Sequence, residues 1–462
     1  MVFSSLPFLF LFLTVVLLVS HILPFKFRNF FLLLANLVFY AYGEPIYILI
    51  MIGSILVNYI CGILIGRQSS RGAKRAVLVV GIVLNLAALG VFKYAGLFVG
   101  TFKDLTGITT IPDVNIALPI GISFYTFQAV SYLIDVYWQD CEASRNFVNF
   151  ACYISLFPQL IAGPIVRYVD VNEQLVSRKE TPTLFNSGVR LFMVGMAKKV
   201  LLANQFGILW DTMSADPVAA GALCAWCGAI AYSLQLYFDF SGYSDMARGL
   251  GRMLGFEFCI NFNYPYISKS VTEFWRRWHI SLSSWFRDYV YIPLGGNRCG
   301  KVRQCVNIFI VWGLTGFWHG AGWNFLFWGL YYGVLLLLEK LILGKYLKKL
   351  PAPIQHLYTL VIVIIGWVYF ASPDLGTALA YLQVMFSFSP GTMGGASAVL
   401  PWLGMGVIGF VASTPLAMKT WEKIKDKPFM PLVEGVLCLA ALLLCTASLV
   451  SDSYNPFLYF RF

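Results

Sequence analysis

Two histidines hold positions from which they could do chemistry. His319 sits in GLTGFWHGAGWNF, a glycine-rich break between two apolar runs, with Gly313, Gly316, Gly320 and Gly322 around it. An ionisable side chain at membrane depth needs a partner or a cavity, which marks it for function. Glycines remove side-chain bulk, so a substrate can approach the imidazole closely. With an unperturbed pKa of about 6.5, such a ring can take a hydroxyl proton near neutral pH without a metal. The competing reading is a structural histidine bonded to a neighbouring carbonyl. His279 lies in VTEFWRRWHISLSSWFRDY, Val271 to Tyr289, where aromatic and apolar residues recur at spacings of three, four and seven. At about 100° per residue they share one helix face, with Glu273, Arg276 and Arg287 opposite and His279 at the apolar edge. An interfacial helix with aromatic anchors explains that pattern equally well.

Other constellations are weaker. His21 and His356 sit beside Pro24 and Pro353 at the ends of apolar runs and read as interfacial residues. Cys224 and Cys227 form a CxxC with no second pair or nearby histidine to complete a zinc site, so no metal is expected. GGNRCGK, Gly295 to Lys301, follows the strand-like run Tyr289 to Leu294 and matches a phosphate loop until Val302 stands where Ser or Thr should reach magnesium. A turn before a membrane helix explains it better. Asp239, Asp245 and Glu257 lack the paired spacing of a hydrolase or two-metal site, though one of them could orient a histidine.

The elements that must hold these groups are membrane helices. Of 462 residues, 59% are hydrophobic and only 12% charged, against roughly 25% charged in soluble domains. A soluble core cannot hide that much apolar surface. The excess of 33 Lys and Arg over 22 Asp and Glu falls in short clusters between apolar runs, which signals topology and no nucleic-acid partner. Thirteen apolar runs, the first at 3 to 25 and the last at 432 to 451, predict an all-α polytopic membrane protein with some spans tilted, broken or re-entrant. The first run has no basic residues ahead of it and no cleavage site, and is expected to be a retained span. Basic connectors at Arg67 to Arg75, Lys340 to Lys349 and Lys419 to Lys427 are placed in the cytoplasm, which puts both termini outside. One domain over 1–462 is expected: N-terminal helices to 235, a site-bearing core at 236–335, C-terminal helices at 336–451 and an aromatic tail at 452–462.

Three strings in order carry a resemblance: YFDFSGYSDMARGLGRMLGFEFCINFNYPY (Tyr237 to Tyr266), EFWRRWHISLSSWFRDYVYIPLGGNR (Glu273 to Arg298) and GFWHGAGWNF (Gly316 to Phe325). They are similar to the membrane-bound O-acyltransferases, in their AlgI-like branch of bacterial alginate O-acetyltransferases. The resemblance implies a ring of about 10 to 13 transmembrane and re-entrant helices around a central tunnel. It implies His319 as the catalytic residue and His279 as a supporting group in the same tunnel. It also implies a cytoplasmic acyl donor, acetyl-coenzyme A, as substrate with no tightly bound cofactor. The acyl group then passes outward to a separate extracytoplasmic polysaccharide O-acetyltransferase of the SGNH type (AlgJ-, AlgX- or PatB-like), at a bacterial cytoplasmic membrane. The tail FLYFRF, residues 457 to 462, resembles the aromatic tails of exopolysaccharide-acetylating members, in which a tyrosine, here Tyr459, is proposed as a covalent acyl relay. An aromatic interfacial anchor is the other reading of that tail. Within this frame Trp275, Trp278, Trp318 and Trp323 could narrow the tunnel to a small acyl group, with Asn324 beside them. Arg276, Arg277 and Arg287 are candidates for the coenzyme phosphates, against a role as positive-inside anchors. A D-alanyl transferase of teichoic acids shares the motifs, and a transporter would also place a histidine among glycines.

Overall fold

The computed structural model describes residues 1–462 except 109, 393, 452, 453, 456 and 459–462. Among the described residues the regular elements are helices, and seven are long and apolar enough to cross a membrane. Ala396–Ala412 and Leu416–Ile424 form a bent pair at 61°, so the apolar run there is interrupted at Ser413 to Pro415. The chain is a multi-pass, all-α membrane protein.

It divides into two compact units, Met1–Phe192 with Ser244–Cys259, and Met193–Tyr243 with Ile260–Phe462. In the first, the apolar helices Ile48–Arg67 and Arg71–Leu89 each bury one asparagine. Asn58 and Asn85 exchange side-chain hydrogen bonds of 3.0 and 2.8 Å. An amide in an apolar setting must find a partner, so this exchange fixes the register of the helix pair. In the same unit Phe3, Phe8, Phe12, Phe39 and Phe157 pack ring to ring, with centroids 5.0 to 6.4 Å apart.

The second unit carries the two histidines. Its framework is α1 (Pro182–Ser214, shared with the first unit), α2 (Pro217–Met253, likewise shared), α3 (Val271–Arg277), α4 (Ile280–Phe286), α5 (Lys301–His319), α6 (Trp323–Leu338), α7 (Ala352–Ala371) and α8 (Met430–Ser451). The hairpin of α5 and α6 is closed by glycines. A Cβ on Gly316 would strike the Phe325 carbonyl oxygen, and one on Gly329 the Trp312 carbonyl oxygen. Close backbone approach of this kind is how helices pack where lipid supplies no hydrophobic drive.

The expected single helix from Val271 to Tyr289 is broken. Residue His279 takes a left-handed φ of 44°, and the helix restarts at Ile280. The segment from Asn261 to Asn263 accounts for the break by taking the freed backbone groups. Asn263 N–H donates to Arg277 O and Ile280 N–H to Asn261 O, each at 2.9 Å. The strand-like run Tyr289 to Leu294 is no strand: it starts in a π-helical turn, Arg287–Tyr291, and continues as turn to Leu294. GGNRCGK is a turn leading into α5, with Gly295 and Gly296 at φ 110° and 53°.

Candidate active site

His319 is the last residue of α5. The helix stops there because Gly320 turns extended, in a space so tight that a Cβ on Gly320 would enter the Phe325 ring. The imidazole is buried and boxed by aromatic edges. Trp318, Trp328 and Phe370 lie at centroid distances of 5.0, 5.1 and 5.3 Å, all near perpendicular. Edge-to-face packing of this sort holds a ring in place by its quadrupole as well as by contact.

A cavity opens on His319. Its wall is built from Leu236, Asp239 and Phe240 of α2, Trp278, Trp328 of α6, Trp367 and Phe370 of α7, and Phe457 and Leu458 of the tail. Leu236, Asp239 and Phe240 fall at i, i+3 and i+4, one face of a helix. Trp278 packs on Trp367 at 4.8 Å, and Trp275 stands behind, against Trp312 and Tyr332 at 4.8 Å each. Small and largely aromatic, this chamber suits a compact acyl group with a neutral hydroxyl beside it.

His279 belongs to the same cluster. Its ring lies 4.7 Å from Phe240 and 6.1 Å from Trp318, so Trp318 touches both histidines. Its Nδ1 is 3.1 Å from Asn261 Oδ1, an oxygen that also accepts from Ser281 N–H and Oγ–H. That acceptor assigns the proton to Nδ1 and leaves Nε2 as a bare, buried lone pair with no hydrogen-bond partner among the described residues. Outside the candidate spans, burial pushes this imidazole down to about 3, so the ring stays neutral.

Asp239 is the one carboxylate among the described residues of the cavity wall. Lys199 Nζ sits 2.7 Å from its Oδ1, both side chains 3% exposed, and Leu458 N–H donates to its Oδ2 at 2.9 Å. Lys199 rides on a π-helical turn of α1, Lys198–Ala203. Such turns displace one residue from the helical register and recur at functional sites.

The remaining candidates scatter. Trp323 is 59% exposed and lines no part of the cavity. Asn324 is buried and donates to Ser372 O at 2.9 Å, pinning α6 to the end of α7. Arg276 is exposed, Arg277 pairs with Glu273 at 2.8 Å, and exposed Arg287 pairs with Asp288 at 2.7 Å; none lines the cavity. Asp245 and Glu257 fall in the first unit. Among the described residues no three His, Cys, Asp or Glu side chains gather as metal ligands. Tyr459 lies outside the described residues.

Fold and site together define a polytopic helical membrane protein with a histidine enclosed in an aromatic chamber. Residues 142–372 match the model of the membrane-bound O-acyltransferase family. Over its full length the chain is 40% identical to a probable alginate O-acetylase of Azotobacter vinelandii, with both chains covered completely. It is 34% identical to a peptidoglycan O-acetyltransferase of Helicobacter pylori, over 78% of this chain and 74% of the other. A teichoic acid D-alanyltransferase of Streptococcus thermophilus shares 32% identity over 49% of this chain and 58% of its own. This chain belongs to the membrane-bound O-acyltransferase family and is an acyltransferase enzyme.

Proposed function

We propose that this enzyme takes acetyl from acetyl-coenzyme A at the cytoplasmic face and passes it across a bacterial cytoplasmic membrane for O-acetylation of an extracellular or cell-wall polysaccharide, of the alginate kind. His319 acts as general base. Its imidazole takes the proton of an attacking hydroxyl, the oxygen adds to the thioester carbonyl, and coenzyme A leaves as the thiol while an oxygen ester forms. Thioester cleavage drives the step, so neither ATP nor a bound cofactor is needed. The first acceptor is the Tyr459 hydroxyl, and a separate extracytoplasmic transferase then moves the acetyl group to the sugar.

One arrangement supports this reading best: the buried His319 shares its cavity with Phe457 and Leu458, the two residues that precede Tyr459 in sequence. The acetyl donor is favoured over a D-alanyl carrier because the O-acetylating relatives match across far more of the chain. A transporter accounts for neither the family nor the enclosed base.

The test uses purified full-length protein in lipid nanodiscs, given radiolabelled acetyl-coenzyme A. Coenzyme A release is expected, together with acetyl on the protein that hydroxylamine removes and that Tyr459→Phe no longer acquires. Absence of any thioester turnover, or turnover only with a D-alanyl carrier protein, overturns the acetyl reading. Label retained by Tyr459→Phe overturns the relay.

A further inference from the structure

The tail is pinned back onto the second unit along α1 and α2. Tyr454 Oη donates to Asp211 Oδ2 at 2.7 Å, and Asn455 accepts from Asn204 at 3.4 Å, both on α1. Phe457 stacks on Tyr243 of α2 at 4.8 Å and 29°. One turn before Tyr243, Asp239 accepts the Leu458 N–H. That bond is to the main chain, so it sets where along the chain the tail is gripped regardless of which side chains it bears. A buried carboxylate needs a counter-charge beside it, and Lys199 supplies one at 2.7 Å. A buried ion pair adds little over an apolar pair of the same volume. Its value here is the charged acceptor it sustains, since a hydrogen bond to an ionised oxygen is about twice as strong as a neutral one.

We propose that Lys199 and Asp239 are a positioning pair, gripping the main chain at Leu458 and so fixing the register in which the tail meets the His319 cavity. This rests on the acyl-relay reading of Tyr459 for its purpose, but not for its geometry.

The experiment measures hydrogen exchange of the C-terminal peptide by mass spectrometry in the intact protein, alongside acetyl uptake from labelled acetyl-coenzyme A. Two variants remove the grip differently. Lys199→Met with Asp239→Leu replaces the pair by apolar residues and leaves no unpaired charge. Leu458→Pro deletes the donor and leaves the pair untouched, with Leu458→Ala as the control that keeps the N–H. Loss of one charge-assisted hydrogen bond predicts about 10- to 100-fold faster tail exchange in both grip-deficient variants. Acetyl uptake should slow by a similar factor, while Leu458→Ala keeps tail protection. Wild-type exchange in Leu458→Pro, or in a folded double variant, overturns the proposal. Tyr459→Phe separates the two ideas: uptake lost with tail protection intact supports the relay, whereas uptake retained with a tail still loosened by Leu458→Pro removes the relay and leaves the grip.

Discussion

Replacing Glu339 by alanine should loosen the wall of the active-site chamber from a distance. This carboxylate, 5% exposed, lies at the start of a π-helical turn continuing α6 and caps the N-terminus of α3. Its Oε1 accepts Val271 N–H at 2.7 Å; its Oε2 accepts Thr272 N–H at 2.8 Å and the Thr272 hydroxyl at 2.6 Å. A negative charge at a helix N-terminus is further favoured by the helix dipole. Alanine strands one buried and one part-buried N–H group, the first at about 1 to 3 kcal/mol and the second at less. A loss near 3 kcal/mol corresponds to roughly 6 to 12 °C in Tm for a unit of this size. Glutamine keeps one carbonyl acceptor and should lose about half as much. Because Trp275 rides on α3 and Trp278 follows it, coenzyme A release should fall along with the melting point. Thermal unfolding in detergent, followed with a thiol-reactive dye on the ten cysteines, reads the first effect. Glu339→Ala melting within about 2 °C of wild type with unchanged turnover would refute the reasoning.

Other substitutions probe different links. Gly329→Ala forces a Cβ against the Trp312 carbonyl and should cost about 1 to 3 kcal/mol of stability or block folding; a wild-type melting curve would show that the α5–α6 crossing can relax. Asn58→Ala and Asn85→Ala, singly and together, should reveal a coupling of about 0.6 to 1.7 kcal/mol in a double-mutant cycle, and strict additivity would mean that the exchanged amides do not act as a pair. Trp278→Phe enlarges the chamber, so the rate with butyryl-coenzyme A relative to the acetyl thioester should rise about tenfold or more; an unchanged ratio in a folded variant removes Trp278 from acyl selection.

The helices were legible from composition and run length, because apolar runs of this length have few alternatives to spanning a bilayer. His319 was legible because a titratable ring among glycines is rare at membrane depth. The break at His279 was not, since the 3.6-residue periodicity runs straight through it. What interrupts the helix is Asn261 to Asn263, an irregular segment whose pairing no local pattern announces. Asp239 stood out as a carboxylate but not for its role. Its cation lies on α1, and the amide it accepts is 219 positions further along. Trp328, Trp367 and Phe370 were invisible for a different reason: an aromatic inside an apolar run reads the same whether it faces lipid or a chamber. The tail's return into the second unit was likewise hidden, as an aromatic terminus equally describes an interfacial anchor.

The claim on which the rest depends is that the His319 imidazole is the base. Coenzyme A release by the purified His319→Ala variant, inserted and melting like wild type, measures it most directly. Loss of a single general base predicts a fall of about 10² to 10⁴ in turnover with acetyl-coenzyme A binding retained. A rate within about threefold of wild type would contradict the account, because some group other than His319 would then have to be taking the proton.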